Sequence, residues 1–187
     1  SKVDAETGEE LPGAVLELYA PDGSLIETWE TSDIPHVITG LPVGEGYVLR
    51  EVTAPEGYQL AGTLEQEFEI TQDGVLVDLT GAGSSILDRP IRAAFSLKKQ
   101  DGDSKEPMAG VLFEITSNTT GESHTFTTGE NGFFSSAGSD LRFGSPGDGG
   151  ALLYDTYMIR ELPCEANKGY TLAAVSYTHL RAHETLR

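Results

Sequence analysis

One pattern is written twice in this chain. Lys2-Val3-Asp4 precedes the run Gly13-Ala14-Val15-Leu16-Glu17-Leu18, and Tyr47-Val48-Leu49-Arg50-Glu51-Val52 follows it. Lys99-Gln100-Asp101 precedes Gly110-Val111-Leu112-Phe113-Glu114-Ile115, and Tyr157-Met158-Ile159-Arg160-Glu161-Leu162 follows. Lys2 and Lys99 stand equally far, without a gap, before their Gly-led runs. A repeat of this length means two copies of one domain, and 187 residues hold two small ones.

Side-chain parity then sets a physical problem. Neighbouring side chains of a strand point to opposite faces, so residues two apart share a face. Tyr47, Leu49 and Glu51 therefore line up, as do Tyr157, Ile159 and Glu161. Phe95, Leu97 and Lys99 share a face too, which selects Lys99 over Lys98 as the inward lysine. Burying a charge on an apolar face is costly unless it is paired or neutralised. The same cost met twice suggests a use.

Composition narrows the function classes. A formal charge of −18 argues against nucleic acid and anionic membrane surfaces as partners, since both reward clustered Lys and Arg. No apolar run has the length of a membrane span, so no membrane insertion is expected of this stretch. The single cysteine, Cys164, leaves no internal disulfide framework, although small domains gain from a staple. Any covalent staple must use other chemistry. The chain opens in mid-pattern at Ser1 and reads as a fragment.

Short β-rich runs broken by turn residues predict an all-β chain of immunoglobulin-like sandwiches. The predicted strands of the first copy are residues 14–19, 25–30, 36–39, 47–52, 67–70, 75–79 and 85–88. Turn signals such as Pro21-Asp22-Gly23 and Gln72-Asp73-Gly74 separate them. Arg89-Pro90-Ile91 reads as the hinge, which gives a first sandwich at 1–91 and a second at 92–174. In the second copy, residues 123–128 and 132–135 read as a hairpin around Gly129-Glu130-Asn131. Residues 136–150, rich in Gly, Ser and Asp, read as a long surface loop.

Residues 175–187 are expected to lie outside the native fold. From Ala174 to Thr185 the chain reads as a translation of the transposase end and adapter used in sequencing libraries. On that reading the second sandwich is truncated at its C-terminus and lacks its closing strands. His179, His183 and Glu184, at a spacing that suits a metal on a helix, are then an accident, and no metal or cofactor is expected.

With these residues in view, the chain resembles the SpaA-type and Cna-B-type prealbumin-like repeats of Gram-positive pilins and surface adhesins. The matching elements are Lys2 to Gly8, Leu11 to Ala14, Leu41 to Tyr47 and Arg50 to Tyr58 in the first copy. In the second they are Gly110 to Ile115, Tyr157 to Leu162 and Lys168-Gly169-Tyr170. The resemblance implies a rod segment on the cell wall, secreted and extracellular, whose partners are neighbouring repeats of the parent chain. It also implies a spontaneous isopeptide bond between a first-strand lysine and a last-strand Asn or Asp, promoted by an internal glutamate. Carried over, Lys2 is the amine, Glu51 the promoter and Asp88 the acceptor; Ile86 and Asp88 share a face, whereas the rival Asp78 alternates with Val77 and Leu79 on the other face and precedes a further strand. Burial would favour a neutral amine and neutral acids, which such a reaction needs. This is one self-directed event rather than turnover, so the chain is not expected to be an enzyme. With only Ser1 ahead of Lys2, the site is expected to be open to water. Lys99 and Glu161 are the second-copy counterparts, without an acceptor, since Asp140, Asp148 and Asp155 lie elsewhere along the chain.

The alternative is an adhesin module that binds host matrix or glycans without a cross-link, for which Phe133, Phe134 and Phe143 are the candidate aromatics. Hydrolytic chemistry finds no Gly-x-Ser-x-Gly. Asp101-Gly102-Asp103-Ser104 lacks the later ligands of a calcium loop and reads as a turn, and Gly147-Asp148-Gly149-Gly150 has no Lys-Ser/Thr for phosphate.

Overall fold

The computed structural model describes residues 2–60, 62–79, 86–144, 150–174 and 176–179. The chain divides into two compact units, Ser1–Pro90 and Ile91–Arg187.

In the first unit the strands are β1 (Val15–Tyr19), β2 (Leu25–Glu30), β3 (Gly44–Thr53), β4 (Tyr58–Leu60), β5 (Glu65–Ile70) and β6 (Asp88–Pro90). One antiparallel sheet has the order β2-β1-β3-β5, and β4 pairs with β6. The alternation in β3 is the one parity demands: Tyr47, Leu49 and Glu51 are buried while Val52 is exposed. Across the ladder Leu49 faces Leu18 and Glu51 faces Leu16, so the carboxylate occupies an apolar row. Burying each large apolar side chain of that row contributes about 1.5–3 kcal/mol. Against the row packs Ile86, two residues before Asp88.

The second unit repeats the plan. Its strands are β7 (Arg92–Ala93), β8 (Ser96–Lys98), β9 (Leu112–Ser117), β10 (Ser123–Thr127), β11 (Phe133–Ser135), β12 (Leu152–Leu153), β13 (Thr156–Glu161) and β14 (Ser176–His179). A four-stranded sheet runs β10-β9-β13-β14, with β11-β8 and β12-β7 as separate pairs. Ile159 faces Ile115 and Glu161 faces Phe113, the same placement of a carboxylate as in the first unit. The core is aromatic: Phe95, Phe113 and Phe126 pack with Tyr157 and Phe143. Among the described residues of both units the one helical element is a 3-10 turn, Glu165–Asn167.

Several sequence expectations change. Residues 36–39 are not a strand: Pro35 removes a ladder donor, and the His36 ring instead stacks on Trp29 at 4.7 Å and bonds Glu27. Residues 75–79 form no strand either; Val75 and Leu76 are exposed, and β5 is already paired through β3. The last strand begins at Asp88 rather than residue 85, which lies outside the described residues, and it runs on through Pro90. The predicted hairpin at 123–135 is a crossover, since β10 pairs with β9 while β11 pairs with β8. Gly132 makes the crossing feasible, because at φ +69° a Cβ there would stand 2.4 Å from the Lys99 carbonyl oxygen. Ser176–His179, expected outside the fold, adds to the edge of β13. A ladder bonds backbone groups, so a segment of any origin that reaches a free edge can join it. His183 and Glu184, the His179 side chain, and Gly147 to Gly149 lie outside what is described.

Candidate functional site

Glu51 reaches the site because β3 alternates strictly from Tyr47 through Glu51, one residue before Val52 turns outward. Lys2 is brought in by the segment that precedes the sheet. The Lys2 carbonyl accepts the Leu11 amide at 2.8 Å, Val3 bridges Glu10, and Asp4 bridges Asp88 in parallel. Asp88 comes from β6, whose backbone carbonyl accepts the Ala5 amide at 2.7 Å. Three segments distant in sequence therefore meet at one point.

There, Lys2 Nζ stands 2.9 Å from Glu51 Oε2 and 3.0 Å from Asp88 Oδ1. The first contact is an aligned hydrogen bond donated by the amine; the second lacks hydrogen-bond alignment. The site is dry: the side chains of Lys2, Glu51 and Asp88 are 1%, 2% and 0% exposed. Water is thus excluded despite the single residue ahead of Lys2, contrary to the open site expected from sequence. Glu51 Oε1 and both carboxyl oxygens of Asp88 are buried without a hydrogen-bond partner among the described residues. One ammonium compensates one carboxylate, so two such acids beside it cannot both stay ionised at acceptable cost. In keeping with this, burial pushes the Glu51 carboxyl above its usual range, with the Lys2 amine opposing and the Asp88 carboxyl reinforcing the rise. The rival Asp78 is exposed.

The second unit carries the same pair in a different state. Lys99 Nζ donates to Glu161 Oε2 at 3.1 Å, but its side chain keeps 16% exposure. Among the described residues the third group at Glu161 is an amide, not an acid. Asn167 Nδ2 donates to Glu161 Oε1 at 3.0 Å, and the Ala173 amide donates to Oε2 at 2.7 Å. Burial alone would raise this carboxyl; the donors from Ala173, Asn167 and Lys99 together hold it below its usual range. Glu161 has donors on both oxygens and a lowered carboxyl, where Glu51 has a donor on Oε2 alone and a raised one. Asp155 is engaged elsewhere, accepting from Ser117 and Thr119, and Asp140 is exposed. Asp148 lies outside the described residues.

The aromatic candidates do not gather into a platform. Phe143 is 1% exposed, wedged edge-on between His124 and Tyr157, and Phe134 stacks on Phe126 at 4.2 Å; only Phe133 is exposed. Asp101 accepts the amides of Asp103 and Ser104, both at 2.8 Å, and so forms the expected turn. Cys164 is a free thiol.

Three residues not singled out from sequence join the two sites. Asp4 accepts from the Tyr58 hydroxyl at 2.9 Å as well as from the Glu6 and Thr7 amides. Asn167 is the third, its oxygen bound by the Cys164 amide at 2.8 Å. Asp4 and Tyr58 were legible in part, since Lys-x-Asp and Gly-Tyr recur in both copies; Asn167 has no counterpart in the first copy that would flag it.

Solved structures share this architecture. The Bacillus anthracis TIE protein superposes with a TM-score of 0.70 at 20% identity over 96% of this chain, which spans 30% of that protein. A C-terminal fragment of the pilus adhesin SpaC from Lactobacillus rhamnosus GG gives 0.56 at 19% identity, over 97% of this chain and 81% of that one. Likeness at such identity speaks to fold alone. No curated protein matches the sequence. The family model of the SpaA prealbumin-like fold domain, however, matches residues 1–83 and again 93–179, nearly the whole length. The chain belongs to the SpaA prealbumin-like fold domain family, in two consecutive copies.

Proposed function

We propose that the first unit closes on itself through an amide between Lys2 Nζ and Asp88 Cγ, promoted by Glu51. On this reading the chain is a structural repeat of a Gram-positive cell-surface stalk, pilin or adhesin, with neighbouring repeats of the parent protein as its partners. The observation that supports it most is the dry meeting of one amine with two acids, three of whose oxygens have no hydrogen-bond partner among the described residues.

The proton count suffices for the reaction. A protonated Glu51 beside an ammonium–carboxylate pair holds as many protons as a neutral amine beside two neutral acids. Once the ammonium proton has passed to Asp88, the Lys2 nitrogen lone pair attacks Cγ. Glu51 hydrogen-bonds the carboxyl oxygen, gives a proton to the departing hydroxyl and recovers one from the nitrogen. A C–N bond forms, a C–O bond breaks, and one water leaves. Condensation is unfavourable and slow in bulk water. Here the reacting groups are already held about 3 Å apart in a water-excluded site, the condition under which effective molarity is greatest. The event happens once per chain and leaves no free active site.

Such a bond ties the lysine segment to β6 and encloses nearly the whole unit in one covalent loop. It needs no sulfur, which suits an extracellular protein with one cysteine. Intact mass of the folded 187-residue chain tests the proposal: one water should be missing, and tandem mass spectrometry should join the peptides of Lys2 and Asp88. Lys2→Ala and Glu51→Ala should each restore the full mass. A folded chain of unreduced mass overturns it and leaves an ion-paired β-sandwich.

A further inference from the structure

β6, the strand that carries Asp88, is held from both sides. On one side β4 pairs with it, Leu60 against Asp88 and Tyr58 against Pro90. On the other lies the lysine segment, where Asp4 bridges Asp88 and the Ala5 amide bonds the Asp88 carbonyl. Tyr58 belongs to the first flank and Asp4 to the second, yet the Tyr58 hydroxyl donates to Asp4 Oδ2 at 2.9 Å. The side chain therefore spans β6 and ties its two neighbours together. Asp4 is 5% exposed and lies two residues after Lys2, and its other oxygen fixes the turn that follows through the Glu6 and Thr7 amides. The segment between Glu51 and Tyr58 is short, so one stretch of chain delivers both the carboxyl at the amine and the hydroxyl at Asp4.

The second unit contains the same two residue types without a strand between them. Tyr170 stands against Asp101, which raises the phenol's pKa, while Tyr170 itself is half exposed. Among the described residues no strand pairs with residues 170–172 as β6 pairs with β4. There the lysine is the less buried of the two, 16% against 1%. In the first unit the phenol is buried, and burial followed by the Asp4 contact pushes its pKa to about 12.

We propose that Tyr58 and Asp4 form a clasp across the acceptor strand which sets the register of the lysine segment, so that Lys2 Nζ is delivered to the Asp88 carboxyl. This inference rests on the cross-link reading above. Tyr58 and Asp4 are positioning residues: neither touches the reacting atoms, and both act through the placement of Lys2. A lateral slip of the segment by even an ångström separates amine from acid, and misplacement of that size costs roughly a hundredfold in rate.

The test uses the whole chain, taken in denaturant from inclusion bodies with its full mass verified, then refolded at a temperature where every variant is folded by far-ultraviolet circular dichroism. Loss of one water is followed against time by intact mass. Tyr58→Phe, which keeps the ring and removes the hydroxyl, should slow the loss roughly ten- to a hundredfold. Tyr170→Phe, in the other unit, should leave the rate unchanged. In an Asp4→Ala background Tyr58→Phe should have no further effect, because its influence runs through Asp4; independent structural losses would instead multiply. A second readout needs no bond formation. In a Glu51→Ala chain, acetylation of the Lys2 amine by a water-soluble anhydride, located by peptide mapping, should rise about tenfold on adding Tyr58→Phe. Unchanged rate and unchanged labelling overturn the clasp while leaving the cross-link intact. If the unsubstituted chain loses no water but labelling still depends on Tyr58, the cross-link reading fails and the clasp stands.

Discussion

Replacing Lys2 by Met removes the amine, keeps an unbranched side chain of similar reach, and asks how much of the first unit's stability comes from a closed covalent loop. The loop would run from residue 2 to residue 88. By the chain-entropy relation for cross-links, a closure of that length withholds about 4.5 kcal/mol from the unfolded state at room temperature. For a domain of this size the m-value in guanidinium chloride is about 2 kcal/mol per molar, so the midpoint should fall by about 2 M. Trp29, the one tryptophan, lies in β2 and makes fluorescence a specific reporter of this unit. Midpoint alone does not separate the two accounts, because breaking a buried ion pair also costs about 3–5 kcal/mol. The slope does separate them. A cross-linked unfolded chain exposes less surface, so Lys2→Met should raise m if a covalent loop has been opened, and leave it unchanged if only an ion pair has gone. An unchanged slope together with an unchanged mass would refute the covalent account.

Three further outcomes follow from the geometry. Asp78→Ala should leave the loss of water intact, because that side chain is exposed and takes no part in the buried cluster; a full-mass product would reassign the acceptor. Phe143→Ala should destabilise the second unit by about 3–5 kcal/mol, read by calorimetry, while Trp29 fluorescence reports an unchanged first unit, since the ring is fully packed between His124 and Tyr157. Acid should act oppositely on the two glutamates. The raised Glu51 makes a contribution that is fully present below the ordinary carboxyl value of 4.5 and is lost as pH rises through its folded value. The lowered Glu161 and Glu122 make contributions that are present above 4.5, and the lowered Asp155 one that is present above 3.8; each is lost as pH falls through the group's folded value. Melting curves between pH 3 and 7 should therefore show Glu51→Gln and Glu161→Gln changing the pH slope in opposite senses, and parallel slopes would sink the assignment.

The sequence by itself determined the doubling, the all-β class and the identity of the inward-facing charges. Parity is a local property of a strand, so Tyr47, Leu49 and Glu51 declare their common face before any partner is known. Asp88 came from the family resemblance, and parity agreed with it by setting Asp88 on the face of Ile86. What it could not decide was pairing. Residues 36–39 and 75–79 have strand-like composition but pair with no strand among the described residues, and residues 123–135 look like a hairpin yet pass between two sheets. Nor could it tell the two glutamates apart. The motifs around Glu51 and Glu161 are nearly the same, but one faces an acid from a distant strand and the other an amide from the next turn. Protonation follows from those neighbours and from the exclusion of water, which are properties of packing between segments far apart in the chain. Tertiary structure therefore decided which copy sets its lysine between two buried acids and which pairs it with a single carboxylate that an amide also bonds.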